Sequence, residues 1–145
     1  MVGLPKQTNN DLVNDLLYLK ELNPHMCGIG PFIPHKDTPL YNENCGTLEK
    51  TITMLALVRL MLPKVLLPAT TALGSIDPLG REKGLKAGGN VVMPNLSPTN
   101  VRQKYLLYDG KICTGDEAAE CRACIEKRIN KAGFKLNISR GDSLV

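Results

Sequence analysis

Cys113, Cys121 and Cys124 form a C-x7-C-x2-C set within Lys111-Ile-Cys-Thr-Gly-Asp-Glu-Ala-Ala-Glu-Cys-Arg-Ala-Cys-Ile125. A C-x2-C pair closes a small chelate ring on one metal centre. A third thiol a turn or two upstream can complete one side of a cluster. Thiolates are soft donors, so the set favours iron–sulfur clusters or zinc over hard cations. Both usually take four ligands. The region offers no fourth Cys and no His, so zinc would need Asp116, Glu117 or a distant group. An iron–sulfur cluster could leave one iron to a non-protein ligand. The alternative is three reduced thiols with no metal, two of them on one helix.

Other residues carry weaker chemical signals. Thr70 and Thr71 stand at the C-terminal end of a strand-like run, where hydroxyls donate and accept hydrogen bonds, although β-branched Thr also simply favours strands. Tyr105 and Tyr108 offer phenols at a helix end, where amphipathic side chains are often half-buried. Met93 fills space as a cavity wall or as core. His35 has acid–base potential, but a surface-loop histidine accounts for it. His25 reads as a helix-end residue. Cys27 and Cys45 lack ligand spacing.

These groups must be positioned by a chain of 145 residues, the size of one ordinary domain. Apolar residues make up 43%, enough for a core. There is no Trp and there are only two Phe, so that core is aliphatic. The net charge of +4 is spread along the chain, and aromatics are too few to stack bases, which argues against a nucleic-acid partner. The most apolar stretch, Met54 to Ala69, is broken by Arg59, Pro63 and Lys64 and is too short for a bilayer. Five cysteines without a leader-like start point to a reducing, cytoplasmic setting.

Strand-like runs alternate with amphipathic helices. Met1 to Leu4 is a short apolar start. Asn9 or Asn10 is expected to cap a helix to about Leu22, with Leu12, Leu16 and Leu19 on one face. Met26 to Ile29 is a second strand candidate, followed by a long proline-containing loop to Gly46. A loop of that length is more often functional than idle. Thr47 should cap a helix ended by Pro63, without a capping box because Lys50 stands where Glu or Gln is needed. Val65 to Ala69 is the third strand. Asp77-Pro78 signals a helix start running to about Ala87. Asn90 to Met93 is the fourth strand, and Ser97-Pro98 opens a helix to about Leu107. Asp116 is expected to cap a last helix, Ala118 to Ala132, stopped by Gly133.

This alternation implies right-handed crossovers and a parallel sheet. A doubly wound sheet should carry a phosphate-cradling glycine loop, but Gly28-Ile29-Gly30 is followed by Pro31, and Ile33 replaces the third glycine. An α/β barrel fits better: four βα units, the C-terminal half of a (β/α)8 barrel, with chemistry in the loops after the strand ends. The expected division is a barrel portion over 1–109 and a cysteine-bearing extension with an exposed tail over 110–145.

The segments Met1-Val-Gly-Leu-Pro-Lys-Gln-Thr8, Gly28-Ile-Gly-Pro-Phe-Ile-Pro-His35, Asp37-Thr-Pro-Leu40, Pro68-Ala-Thr-Thr-Ala72, Asn90-Val-Val-Met-Pro-Asn95 and Lys111-Ile-Cys113 together resemble the HydE family. These are radical S-adenosylmethionine (SAM) maturases of [FeFe]-hydrogenase, related to biotin synthase. The match runs in order over nearly the whole chain and corresponds to the C-terminal portion of such an enzyme. The resemblance implies a [4Fe-4S] cluster on C-x3-C-x2-C, reductive cleavage of SAM to a 5′-deoxyadenosyl radical, and a sulfur-containing substrate whose product enters the dithiolate bridge of the hydrogenase cluster. It implies that Thr70, Thr71, Met93, Tyr105 and Tyr108 face substrate and that Gly30, Pro31, Phe32 and Ile33 wall the adenine of SAM. Cys113, Cys121 and Cys124 would hold an accessory [2Fe-2S] or [4Fe-4S] cluster, with no catalytic role.

Two departures stand out. Lys6 occupies a position where the family usually has glycine. None of the five cysteines forms C-x3-C-x2-C, so the chain is expected to be a fragment, inactive alone, whose partners are the missing N-terminal half-barrel and other maturation proteins. Alternatives are a biotin synthase-like or methylornithine synthase-like enzyme, and a small non-catalytic metal-binding protein.

Overall fold

A computed structural model describes residues 1–112 and 118–145. Four short extended segments run parallel in chain order. Isolated bridges join Val2 to Pro31, Met26 to Leu66, Ile29 to Ala69, and Pro68 to Val91. The first pair is held by Val2 N–H to Gly30 O (3.0 Å) and Phe32 N–H to Val2 O (2.8 Å). Cys27 N–H to Leu66 O and Ala69 N–H to Val91 O, both 2.9 Å, continue the pattern. Among the described residues no continuous strand forms beyond these bridges. Parallel neighbours cannot be joined by a tight turn, so each link crosses over through helix or long loop.

Side chains alternate across the segments as a period of two requires. Val2, Cys27, Ile29, Val65, Leu67 and Ala69 are buried on one face. Against them pack Leu12 and Leu16 of α1 (Asn9–Leu22) and Met54, Leu55 and Val58 of α2 (Leu48–Met61). On the other face Met26 is 49% exposed and Gly28 is exposed, while Phe32 and Pro68 are buried.

The α1 cap is one residue earlier than expected. Thr8 Oγ1 accepts from Asp11 N–H, and the Asp11 carboxylate accepts from Thr8 N–H (2.7 Å), a reciprocal box with Asp in the Glu position. Thr47 caps α2 through Lys50 N–H (3.3 Å), with no reciprocal partner, as its sequence predicts.

Beyond the third segment the structure departs from the periodicity. A six-residue helix, α3 (Thr71–Ile76), starts directly at the strand end. It is too short to leave a periodic signature. Asp77-Pro78 does not cap a helix. The Asp77 carboxylate instead accepts from Leu79 N–H (2.7 Å) and pairs with Lys83 (2.8 Å), and α4 (Gly80–Lys86) begins after this turn. The Ser97-Pro98 signal produces a 3₁₀ helix, Thr99–Tyr105, with no side-chain cap. Asp116, expected to cap the last helix α5 (Ala118–Lys131), lies outside the described residues.

Helix α5 docks through Cys121, Ile125, Ile129 and Ala132 onto Ala69 and Leu85. These positions repeat at helical spacing. An ion pair fixes the far end. Arg128 donates two hydrogen bonds to Glu82, Nε to Oε1 (2.9 Å) and Nη2 to Oε2 (2.7 Å), and a third to Pro78 O. The Glu82 side chain is only 10% exposed.

The edge of the first segment is not bare. Gln7 turns its carboxamide back on it, accepting from Gly3 N–H (2.7 Å) and donating to Met1 O (3.0 Å). One side chain thus stands in for part of a neighbouring strand, which protects an edge that would otherwise pair promiscuously. The long loop returns at Gly46, whose N–H donates to Phe32 O (2.8 Å). A Cβ at Gly46 would lie 2.2 Å from Val2 O, so only glycine fits there.

The turn that carries Gln7 strains its neighbour. Lys6 has φ +63°, a left-handed conformation that costs a side-chain-bearing residue about 1–2 kcal/mol. Lys6→Gly should therefore raise stability by about 0.5–1 kcal/mol after glycine's greater unfolded-state freedom is subtracted, measured by urea unfolding.

Burial pushes the Glu82 carboxyl up, but the Arg128 hydrogen bond, a backbone hydrogen bond and the charges of Arg128 and Arg81 outweigh it, so it titrates below the ordinary 4.5. A depressed carboxyl stabilises the fold above its unfolded value and loses that contribution as pH falls through the folded one. Stability should thus decline on acidification below about pH 4.5. Glu82→Gln should cost about 3 kcal/mol at pH 7 and flatten that acid limb, read by denaturant titration across pH.

Candidate functional site

The C-terminal ends of the second and third segments open into one cleft of about 710 Å³. Its walls include Gly30, Pro31, Phe32 and Ile33 from the second segment and the loop after it, Thr70 and Ala72 from the third crossover, and Leu107 and Tyr108 from beyond the 3₁₀ helix. His35 and Thr38 of the long loop also line it. Another hollow of about 460 Å³ lies between α1 and α2, lined by Leu12, Leu16, Met54 and Leu57 among others, and carries none of the residues with chemical signals.

Two loops are clasped to form the cleft wall. Asp109 N–H donates to Pro34 O (3.2 Å), and the Asp109 carboxylate accepts from Lys36 N–H (3.0 Å). The clasp holds the turn containing Tyr108 against the loop that follows the second segment.

Thr70 is the most telling polar group. It stands at the N-cap of α3, yet its side chain makes no capping bond. Its Oγ1 is buried and has no hydrogen-bond partner. An unpaired buried hydroxyl costs about 1–3 kcal/mol, so a ligand that supplies a partner gains from it. Gly30 makes room for it: a Cβ there would lie 3.0 Å from that oxygen.

Thr71 behaves differently. Its hydroxyl accepts from Arg81 Nη2 (3.1 Å), which ties α3 to α4, and it is not among the residues lining the cleft. Of the two phenols, Tyr108 lines the cleft. Tyr105 is 59% exposed outside it, and its carbonyl accepts from Lys111 Nζ (2.9 Å). Met93 is 51% exposed and also outside the cleft wall. The cleft thus gathers Gly30 to Ile33, Thr70 and Tyr108, and leaves out Thr71, Met93 and Tyr105. His35 joins it unforeseen. The signal available in sequence was its place five residues after Gly30, in a loop that must pass over the strand ends.

The cysteine set divides. Cys113 lies outside the described residues. Cys121 is 1% exposed, packed in the α5 interface, and its sulfur accepts from Asn95 N–H (3.3 Å). Cys124, one turn further, is exposed. Among the described residues no group of three His, Cys, Asp or Glu could hold a metal. The structure thus describes two members of the set, one buried against the third segment and α4 and one exposed. Cys27 is buried, and burial pushes its thiol up, while Cys45 is exposed.

No family model matches the chain. Among curated proteins, two 3-methylornithine synthases give the broader class of relatives. That of Methanosarcina barkeri is 30% identical over 110 residues, 74% of this chain and 31% of that protein. That of Methanosarcina acetivorans is 31% identical over 112 residues, with the same shares. The [FeFe] hydrogenase maturase subunit HydE of Thermotoga maritima is 54% identical over 135 residues, 93% of this chain and 39% of HydE. The chain therefore resembles the C-terminal part of HydE over nearly all its own length, as its motifs predict. It spans about two-fifths of HydE and about a third of the two synthases. No helix among the described residues is long and apolar enough to cross a membrane.

Thiol accessibility gives a direct check. Ellman's reagent should label Cys45 and Cys124 rapidly, and Cys27 and Cys121 at least about tenfold more slowly, because thiolate character and access set the rate. Mass spectrometry of peptides after short exposure reads each site, and rapid labelling of Cys121 would contradict the docked helix.

Proposed function

We propose that the chain supplies the C-terminal part of a HydE-like radical SAM enzyme acting in assembly of the [FeFe]-hydrogenase cluster. The observation that carries this is the identity of 54% over 93% of the chain. The cleft supports it, because the residues that the resemblance assigns to SAM and substrate contact fall on its wall in the cases of Gly30 to Ile33, Thr70 and Tyr108.

Four parallel segments in chain order, with α1 and α2 packed on one face, are what half of a (β/α)8 barrel presents. Chemistry then belongs at the strand C-termini, where the cleft lies. The remaining segments would come from a polypeptide corresponding to the rest of HydE, which also carries the C-x3-C-x2-C motif absent here. Bound SAM and the cluster on that motif supply a 5′-deoxyadenosyl radical.

The residues of this chain bind and enclose. The Thr70 hydroxyl offers a hydrogen bond to a polar substrate group. Phe32, Ile33 and Leu107 exclude water from the reacting centre, and Tyr108 closes the wall, held by the Asp109 clasp. The substrate is a small sulfur-containing compound, and its product contributes to the dithiolate bridge. An accessory cluster would be held by Cys113, Cys121 and Cys124. A methylornithine synthase-like activity is the second reading, and it rests on about 30% identity over a shorter stretch.

The chain alone should not cleave SAM. Mixed anaerobically with a polypeptide spanning the N-terminal part of a HydE, reconstituted with iron and sulfide and reduced with dithionite, it should restore 5′-deoxyadenosine formation, measured by chromatography. Thr70→Val in that mixture should lower kcat/KM about tenfold through the lost hydroxyl. Cleavage by the chain unaided, or no gain on mixing a soluble, cluster-loaded partner, would defeat the proposal.

A further inference from the structure

The stretch from Tyr105 to Lys111 leaves the body of the fold as a small loop. Lys111 Nζ donates to Tyr105 O (2.9 Å), a bond that ties the two ends of the loop together. A short surface loop with joined ends has the geometry of an Ω-loop. Both ends are anchored. Upstream, Arg102 is 3% exposed and donates from Nε to Ser97 O (2.7 Å) and from Nη2 to Asn95 O (3.2 Å). Downstream, Ile112 N–H donates to Ser75 Oγ (3.4 Å) on α3. The Ile112 side chain lies so close over Gly74 that a Cβ there would come within 2.7 Å of it.

The tip between these anchors is built differently. Asp109 is exposed and holds it through the clasp, its N–H on Pro34 O and its carboxylate on Lys36 N–H. Hydrogen bonds that water can replace are released at small net cost. Gly110 follows with φ +69°, a conformation that glycine adopts freely. A Cβ there would meet nothing within 4 Å, so the backbone has room to turn. Leu107 lines the cleft and is nevertheless 76% exposed. The cleft also presents Phe32, Ile33, Pro39 and Leu40. The tip therefore carries apolar surface that gains burial when the cleft is filled.

We propose that residues 106–110 form a lid on the cleft, pivoting at Gly110 and latched by Asp109 to the loop after the second segment. Release of the two clasp bonds moves Leu107 and Tyr108 away from the wall together and opens a way in. A bound ligand holds the lid shut by covering Leu107, and a shut lid keeps water from the reacting centre. The inference rests on the proposed function only for what enters the cleft. The motion itself belongs to this chain.

Amide hydrogen exchange of the nitrogen-15-labelled full chain reads the motion. After correction for intrinsic rates, Asp109 and Lys36 should share one protection factor, at least about a hundredfold below that of Ala69, whose N–H is bonded to Val91 O in the parallel pairing. Ile112 should stay outside this opening. Asp109→Ala removes only the carboxylate. It should speed exchange about tenfold at Lys36 and equally at the position-109 amide, whose own bond to Pro34 is untouched, because a latch releases as a unit. Asp109→Asn keeps an acceptor and should stay within about threefold of the wild type. Acceleration at Lys36 alone, or clasp amides that exchange only as slowly as Ala69, overturns the lid. In the unreduced mixture with the N-terminal part of a HydE, added SAM should slow both clasp amides about tenfold or more. A mixture that forms 5′-deoxyadenosine on reduction, yet shows no such slowing, also overturns it. A mixture that forms none defeats the proposed function instead, and exchange in the chain alone still decides the lid.

Discussion

Parallel pairing of adjacent segments is the constraint on which the rest depends. A chain that lays each segment beside the last in the same direction must travel back along the outside every time. The return path is α1, α2 and the α3–α4 pair, and their apolar stripes need Val2, Ile29, Val65 and Leu67 beneath them. The same pairing puts every C-terminal end at one edge. Gly30, Thr70 and the turn at Tyr108 are separated by tens of residues in sequence and become neighbours only for that reason.

The cleft is built from economical parts. Backbone groups at Gly30 and Pro31 need no side-chain chemistry, and the glycine keeps space for the Thr70 hydroxyl. The clasp at Asp109 uses one carboxylate and one amide to join two loops more than seventy positions apart. Thr70 is withheld from the helix cap it occupies, so a hydroxyl that would normally close on the backbone is buried without a hydrogen bond. A group left unsatisfied inside a fold is more informative about ligand binding than a well-paired one.

Helix α5 shows two demands meeting on one element. Its apolar stripe and the Arg128–Glu82 pair bind it to α4 and the third segment. Cys121 sits in the middle of that stripe, so a thiol that its spacing marks as a candidate ligand is also part of the packing. Cys124, one turn away, faces solvent. Spacing alone describes how thiols are distributed along a chain. It says nothing of which face a helix presents to its support.

Local chemistry made much of the frame legible. Thr47 caps its helix, the Leu12–Leu16 stripe is buried, Gly133 follows the last helix, and the four segments fall where apolar runs meet Gly or Pro. Such signals act over one or two turns, which is why they survive translation into structure. The short α3, the turn at Asp77 and the cap at Thr8 rather than at Asn9 escaped, because six residues carry no period and neighbouring polar groups compete for one cap. By itself the sequence determined the order of helices and segments, the likeness to HydE and the roster of groups able to do chemistry. Only the tertiary structure decided that Thr70 and Tyr108, with His35, share a wall while Thr71, Met93 and Tyr105 do not. The direction of a side chain depends on contacts made by distant parts of the chain, and no local pattern encodes them.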